Sequence, residues 1–233
     1  MANKNKIKSI LIEKHRVLVN RVHVFWSHNV RKIKGKGNVI LANKASLKRC
    51  RFNIIGDNNV IIIDDGLTRL SGCVFSIYGS NNRIAIHQSA VLTKTTFWIE
   101  DDANTIEIGD NTSIYPHVEL AVIEGTSITI GRDCLFSSNI TFRTGDSHSI
   151  LDVESGLRIN KSRNIIIGEH VWIGNDAKVL KGADVGAHSI ISTGAIVTGR
   201  KYLPCSIIAG VPAKTIKTGV SWDGSRKVLF KEL

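Results

Sequence analysis

His148 is the residue whose type and setting most invite chemistry. It stands in the stretch 143–164, RTGDSHSILDVESGLRINKSRN, with Asp146 two residues before it and Asp152 four after. Imidazole titrates near neutral pH and can take a proton from a weakly acidic hydroxyl. Either carboxylate is near enough in sequence to orient the ring. A loop histidine is more often structural or merely solvated, so its surroundings decide. Trp172 occupies an outward position of a short repeat, where a large aromatic does not fill a core; it is open to ligand contact or to packing at an interface. Late cations, Arg200, Lys201 and Lys214, complete the set of polar candidates.

Other reactive residue types are less promising. Cys50, Cys73, Cys134 and Cys205 show no CxxC spacing, and Cys134 reads as core filler rather than a catalytic thiol. His117, His170 and His188 fall at corners of the repeat, and His15, His23 and His28 read as surface residues. A zinc site needs several converging ligands. Positions four and five after His117 are Ala121 and Val122, so no metal is expected.

These candidates must be held by a repeat. From Ile167 an aliphatic residue falls on every sixth position: Ile173, Val179, Val185, Ile191 and Val197. Four residues beyond each of the first five stands a small or β-branched residue: Val171, Ala177, Ala183, Ser189 and Ala195. Six is not a helical period, and the recurrent Gly168, Gly174 and Gly186 argue against one long strand. Short strands separated by corners satisfy both facts, and three such sides close one coil of a triangular prism. A looser repeat of 21–24 residues precedes it, marked by Ile55-Gly56-Asp57-Asn58-Asn59 and Tyr78-Gly79-Ser80-Asn81-Asn82. The expectation is an all-β solenoid of about eight to nine coils, each rising ~4.8 Å. It begins near Gly37, runs over 37–217, and is interrupted by a protruding loop at 143–164. Loops inside regular repeats are usually functional.

Charge sets the flanks apart. The chain of 233 residues carries a formal net charge of +11, of which residues 1–36 hold ten Lys/Arg against the single acid Glu13. The basicity therefore belongs to an N-terminal segment, read as helical over 5–30, and not to the repeat. This argues against nucleic acid as a partner of the body and leaves 1–36 as a cap or as a peripheral contact with an acidic membrane surface. Residues 218–233, with Trp222, read as a C-terminal tail. The first apolar residues are broken by charges, so no signal peptide is expected, and the scattered cysteines point to a reduced, cytoplasmic protein.

The order DSHSI, IIIGEHVWIG, hexads and finally IIAGVPAKTIK resembles the hexapeptide-repeat acetyltransferases. The likeness is to the galactoside, maltose and xenobiotic branch and, within it, to bacterial enzymes that O-acetylate sialic acid and capsular sugars. The resemblance implies a left-handed parallel β-helix and a homotrimer with sites between adjacent prisms. It implies acetyl transfer from acetyl-CoA to a sugar hydroxyl of a surface polysaccharide or its precursor. It makes His148 the general base and Trp172 a lining residue of the acceptor site. Acetyl-CoA would meet Asn175, the Thr193-Gly194 rung, and Arg200, Lys201 and Lys214. Two other readings stay open: an acetyltransferase for a small acceptor, and a noncatalytic scaffold.

Overall fold

The computed structural model describes residues 28–42 and 44–226. The helix expected over 5–30 lies outside them except for its last residues, and no helix occurs among the described residues. Among them twenty-four strands instead wind as a parallel β-solenoid of about eight turns. The first sheet runs from Val30–Lys34 to Ile196–Val197 through eight strands. The second runs from Val39–Leu41 to Lys201–Tyr202 through eight, and the third from Ser46–Lys48 to Ser206–Gly210. Ala213–Thr218 then folds back antiparallel as the ninth strand of the third sheet.

The hexads do what their spacing demands. Ile167, Ile173, Val179, Val185, Ile191 and Val197 are buried, as are the small residues four places on. The residue between them turns the corner with positive φ: His170 at 52°, Asp176 at 61°, His188 at 59°. The repeated Gly has a different reason. A Cβ on Gly168 or Gly174 would sit 2.6 Å from the backbone N of Ala187 or Thr193 on the next coil. Side chains are excluded there by stacking, not by φ.

The front coils solve the same problem with longer corners. In each Asn-Asn pair the first residue takes the left-handed turn (Asn58 φ 55°, Asn81 φ 59°). The second faces inward, fully buried. Asn59 Oδ1 accepts from the backbone N and Nδ2 of Asn82, each at 3.0 Å, and Asn82 Oδ1 accepts likewise from Asn104. This ladder satisfies backbone groups that the wider corners would otherwise leave unpaired. Beside it Phe52, Phe75 and Phe97 stack at 4.6 and 4.5 Å.

Two boundaries differ from the sequence reading. The solenoid starts at Val30 rather than near Gly37, because Val30–Lys34 pairs in parallel with Arg51–Ile55. Its basic outward residues disguise it as part of the charged segment 1–36. At the other end the tail is not free of the body: Val220 N donates to Cys205 O at 3.0 Å.

Candidate active site

The loop leaves the first sheet after Arg143 and returns to the second at Ile165. Thus it projects from the edge joining those two faces. Its outer part, 150–159, is a small antiparallel excursion closed by the Leu151–Arg158 bridge and by Ile159 N donating to Ile150 O at 2.9 Å. Asn160, only 7% exposed, pins it. Asn160 Oδ1 accepts from Ile150 N (2.8 Å) and Arg158 Nε (2.9 Å). Asn160 Nδ2 donates to Asp146 Oδ2 and to the carbonyl of His148, both at 2.8 Å. The backbone of His148 is therefore fixed while its side chain stays exposed.

Three further ties hold the loop to its coil. Lys181 Nζ donates to Asp146 and, at 3.1 Å, to Asn160 O. Arg158 pairs with Glu124, and Ser162 Oγ donates to Glu124 Oε2 at 2.6 Å. Lys181 and Asn160 hold the Asp146 carboxyl below its ordinary range, and Arg158 with Ser162 does the same for Glu124. The contacts of the two carboxylates expected to orient His148 run elsewhere. Asp152 Oδ1 accepts from Ser155 N (2.8 Å) and Oγ (2.6 Å), closing its own turn, and Asp146 serves the Lys181–Asn160 network. Among the described residues, neither carboxylate reaches the His148 ring. Sequence reasoning missed Asn160, Lys181 and Glu124. None lies in a motif, and only the folded loop brings them together.

Trp172 lies on the third sheet, in register with Leu135 and Ile190, and is 39% exposed. In a three-sided solenoid the edge between the first two sheets stands opposite the third face. His148 and Trp172 therefore display on opposite sides of one chain. A cavity of about 500 Å³ opens at the loop's return, lined by Glu124, Lys161, Ser162 and Arg163 among others; neither His148 nor Trp172 lines it.

The remaining candidates divide between positions. Asn175 and the Thr193-Gly194 rung share the edge between the third and first sheets, with Gly194 N donating to Asn175 O at 2.8 Å. The backbone N of Asn175's neighbouring coil residue Ser138 donates to Asn175 Oδ1 at 3.0 Å. Arg200 turns the edge between the first and second sheets, below the loop, and Lys201 is exposed on the second. Lys214 is exposed on the returning strand, opposite Ala209. Near Trp172, at their corners, the His170 and His188 Nδ1 atoms lie 3.2 Å apart, and both residues are half-buried. Cys134 is buried, and burial pushes its thiol up to about 11, as suits core filler. Among the described residues no three His, Cys, Asp or Glu side chains gather as a metal-holding group. Among the described residues no helix is long and apolar enough to cross a membrane.

A solenoid of six-residue sides with a histidine-bearing loop defines a class. No family model matches the sequence. The chain is similar to the crystal structure of the polySia specific acetyltransferase NeuO, with 31% identity and a TM-score of 0.78, over 87% of this chain and 92% of that one. The polysialic acid O-acetyltransferase OatWY has the same fold, with a TM-score of 0.72 at 23% identity over 86% of this chain and 93% of that one. Among curated proteins, it is 34% identical over 120 residues to the polysialic acid O-acetyltransferase of Escherichia coli O1:K1 / APEC, 52% of this chain and 38% of that protein. It is 30% identical over 104 residues to that of Neisseria meningitidis, 45% of this chain and 48% of that protein. The chain thus spans less than half the length of these two curated relatives. A galactoside O-acetyltransferase of Escherichia coli (strain K12) is 33% identical over 130 residues, 52% of this chain and 60% of that protein. This chain belongs to the hexapeptide-repeat acetyltransferase family.

Proposed function

We propose that the chain is a left-handed β-helical O-acetyltransferase that moves acetyl from acetyl-CoA to a sugar hydroxyl of a polysialic or other capsular-type polysaccharide, or its precursor. The observation that carries this reading is the likeness to a polySia specific acetyltransferase over 92% of that chain. The aligned 87% of this chain is too long a span to leave out the front coils.

The chemistry needs a base, because a sugar hydroxyl is too weak an acid to attack a thioester unaided. His148 takes the hydroxyl proton as the oxygen adds to the thioester carbonyl. The tetrahedral intermediate then expels CoA thiolate, which recovers the proton from the imidazolium. In this reading the backbone N–H of Asn175 stabilises the oxyanion, the pantetheine arm follows the Thr193-Gly194 edge, and Lys214, Arg200 and Lys201 meet the phosphates. Trp172 lines the acceptor site. Asp146 acts on the loop through Lys181 and Asn160 rather than on the ring.

The opposite display of His148 and Trp172 supports a homotrimer whose sites lie between chains, the loop edge of one prism facing the third sheet of the next. The basic segment 1–36 is read as a peripheral contact at the inner membrane face of the cytoplasm, or as a trimer cap. Incubation with acetyl-CoA and a panel of polysialic acid, free sialic acid and galactosides, with CoA release as readout, tests the assignment. Polysialic acid is expected to be preferred over monomers, and His148→Ala to lose ~10²–10⁴-fold in rate. Preference for a monomer would turn the reading toward a small-acceptor enzyme, and near-full turnover by His148→Ala would overturn it.

A further inference from the structure

We infer that Trp222, carried by the C-terminal segment, is a positioning residue for Trp172 and makes that segment part of the acceptor site. The inference rests on the proposed role of Trp172 and on geometry independent of it. Trp172 sits on a two-residue strand, Trp172–Ile173, with its indole on the outer face. Trp222 approaches from the tail and is fixed in three ways. The returning strand Ala213–Thr218 pairs with Ser206–Gly210, and Val220 N donates to Cys205 O. Trp222 Nε1 donates to the carbonyl of His170 at 2.7 Å. One face of the Trp222 ring lies on the His170 imidazole, with centroids 4.4 Å apart and planes 9° from parallel.

What remains of the ring is turned toward Trp172, at 6.3 Å between centroids and 48° between planes. That is the tilted aromatic arrangement in which one ring restrains the other. A tryptophan serving only to seal the coil end would bury its ring in the prism. Trp222 instead crosses the corner, is itself half-buried, and ends beside the outward aromatic. The two indoles form a continuous angled wall, and an angled aromatic wall offers a sugar ring a face that a single mobile indole does not. The substrate class is therefore a pyranose of the acceptor glycan, not the nucleotide of the donor.

The test compares full-length wild type, Trp222→Ala and Trp222→Phe in steady-state transfer from acetyl-CoA to the glycan that the wild type acetylates. Trp222→Ala is expected to raise the acceptor KM about five- to tenfold, the range an aromatic pair contributes, with the acetyl-CoA KM within about twofold. Trp222→Phe keeps the stack on His170 and should recover most of the loss. Near-ultraviolet circular dichroism should show the same Trp–Trp signal lost in Trp222→Ala and in Trp172→Ala. An unchanged acceptor KM in a folded Trp222→Ala protein, with only the melting temperature lowered, would overturn the role. A wild type that acetylates no glycan, yet keeps the Trp–Trp signal, would locate the failure in the proposed function and not in the pairing.

Discussion

At the level of single residues, the loop is organised around a side chain that its sequence does not advertise. Asn160 uses both ends of its amide to join Asp146, the His148 carbonyl, Ile150 and Arg158. Removing it leaves those groups without their shared partner while His148 itself is untouched. Asn160→Ala should therefore lower kcat about ten- to a hundredfold, the scale of a displaced catalytic group, with the acetyl-CoA KM near the wild-type value. Equal losses in kcat and in the fraction of folded protein would make Asn160 merely structural. The loop position of His148 and the outward place of Trp172 were legible from motif and hexad position. The partners of His148's loop were not, because side-chain hydrogen bonds within an irregular segment follow no period. Asp152 illustrates the limit: four residues from His148 in sequence, it is spent on Ser155. Trp222 could be placed in the tail by reading alone, but only folding shows it on His170.

At the level of elements, the six-residue beat was the most readable feature, because each position meets one demand: inward aliphatic, left-handed corner, small inward residue, or close coil approach. Asp176, His188 and Gly194 all turn corners at positive φ despite their different side chains. The strand Val30–Lys34 was missed because its alternation is masked by Arg31, Lys32 and Lys34 at the exposed end of the stack. In the front coils each doubled asparagine is divided between a left-handed corner and the core. That ladder gives a prediction separable from catalysis. Asn82→Ala leaves the Asn104 backbone N and the Asp101 carbonyl without their side-chain partner, and each stranded group costs about 1–3 kcal/mol. Urea unfolding should shift by about 2–5 kcal/mol, while the acetyl-CoA KM of the folded protein stays at the wild-type value. A variant as stable as wild type would mean that water replaces the ladder.

At the level of the whole molecule, the prism keeps His148 and Trp172, the proposed base and the proposed acceptor-site indole, apart. The loop is tied down at Glu124 and Lys181 on one edge, and Trp172 faces out from the opposite sheet. On the proposed roles, one chain on its own displays two halves of different sites. The family resemblance implies sites shared between chains, and the three-sided winding supports that proposal. Co-expression of His148→Ala with Trp172→Ala, purified as mixed trimers through two different tags, tests this most directly. If the base comes from one chain and the indole from the next, each mixed trimer contains one site with both residues intact. The purified mixed trimers should then show about a third of wild-type acetyl transfer, from two nearly inactive parents. Activity no greater than the sum of the two parents would contradict the account.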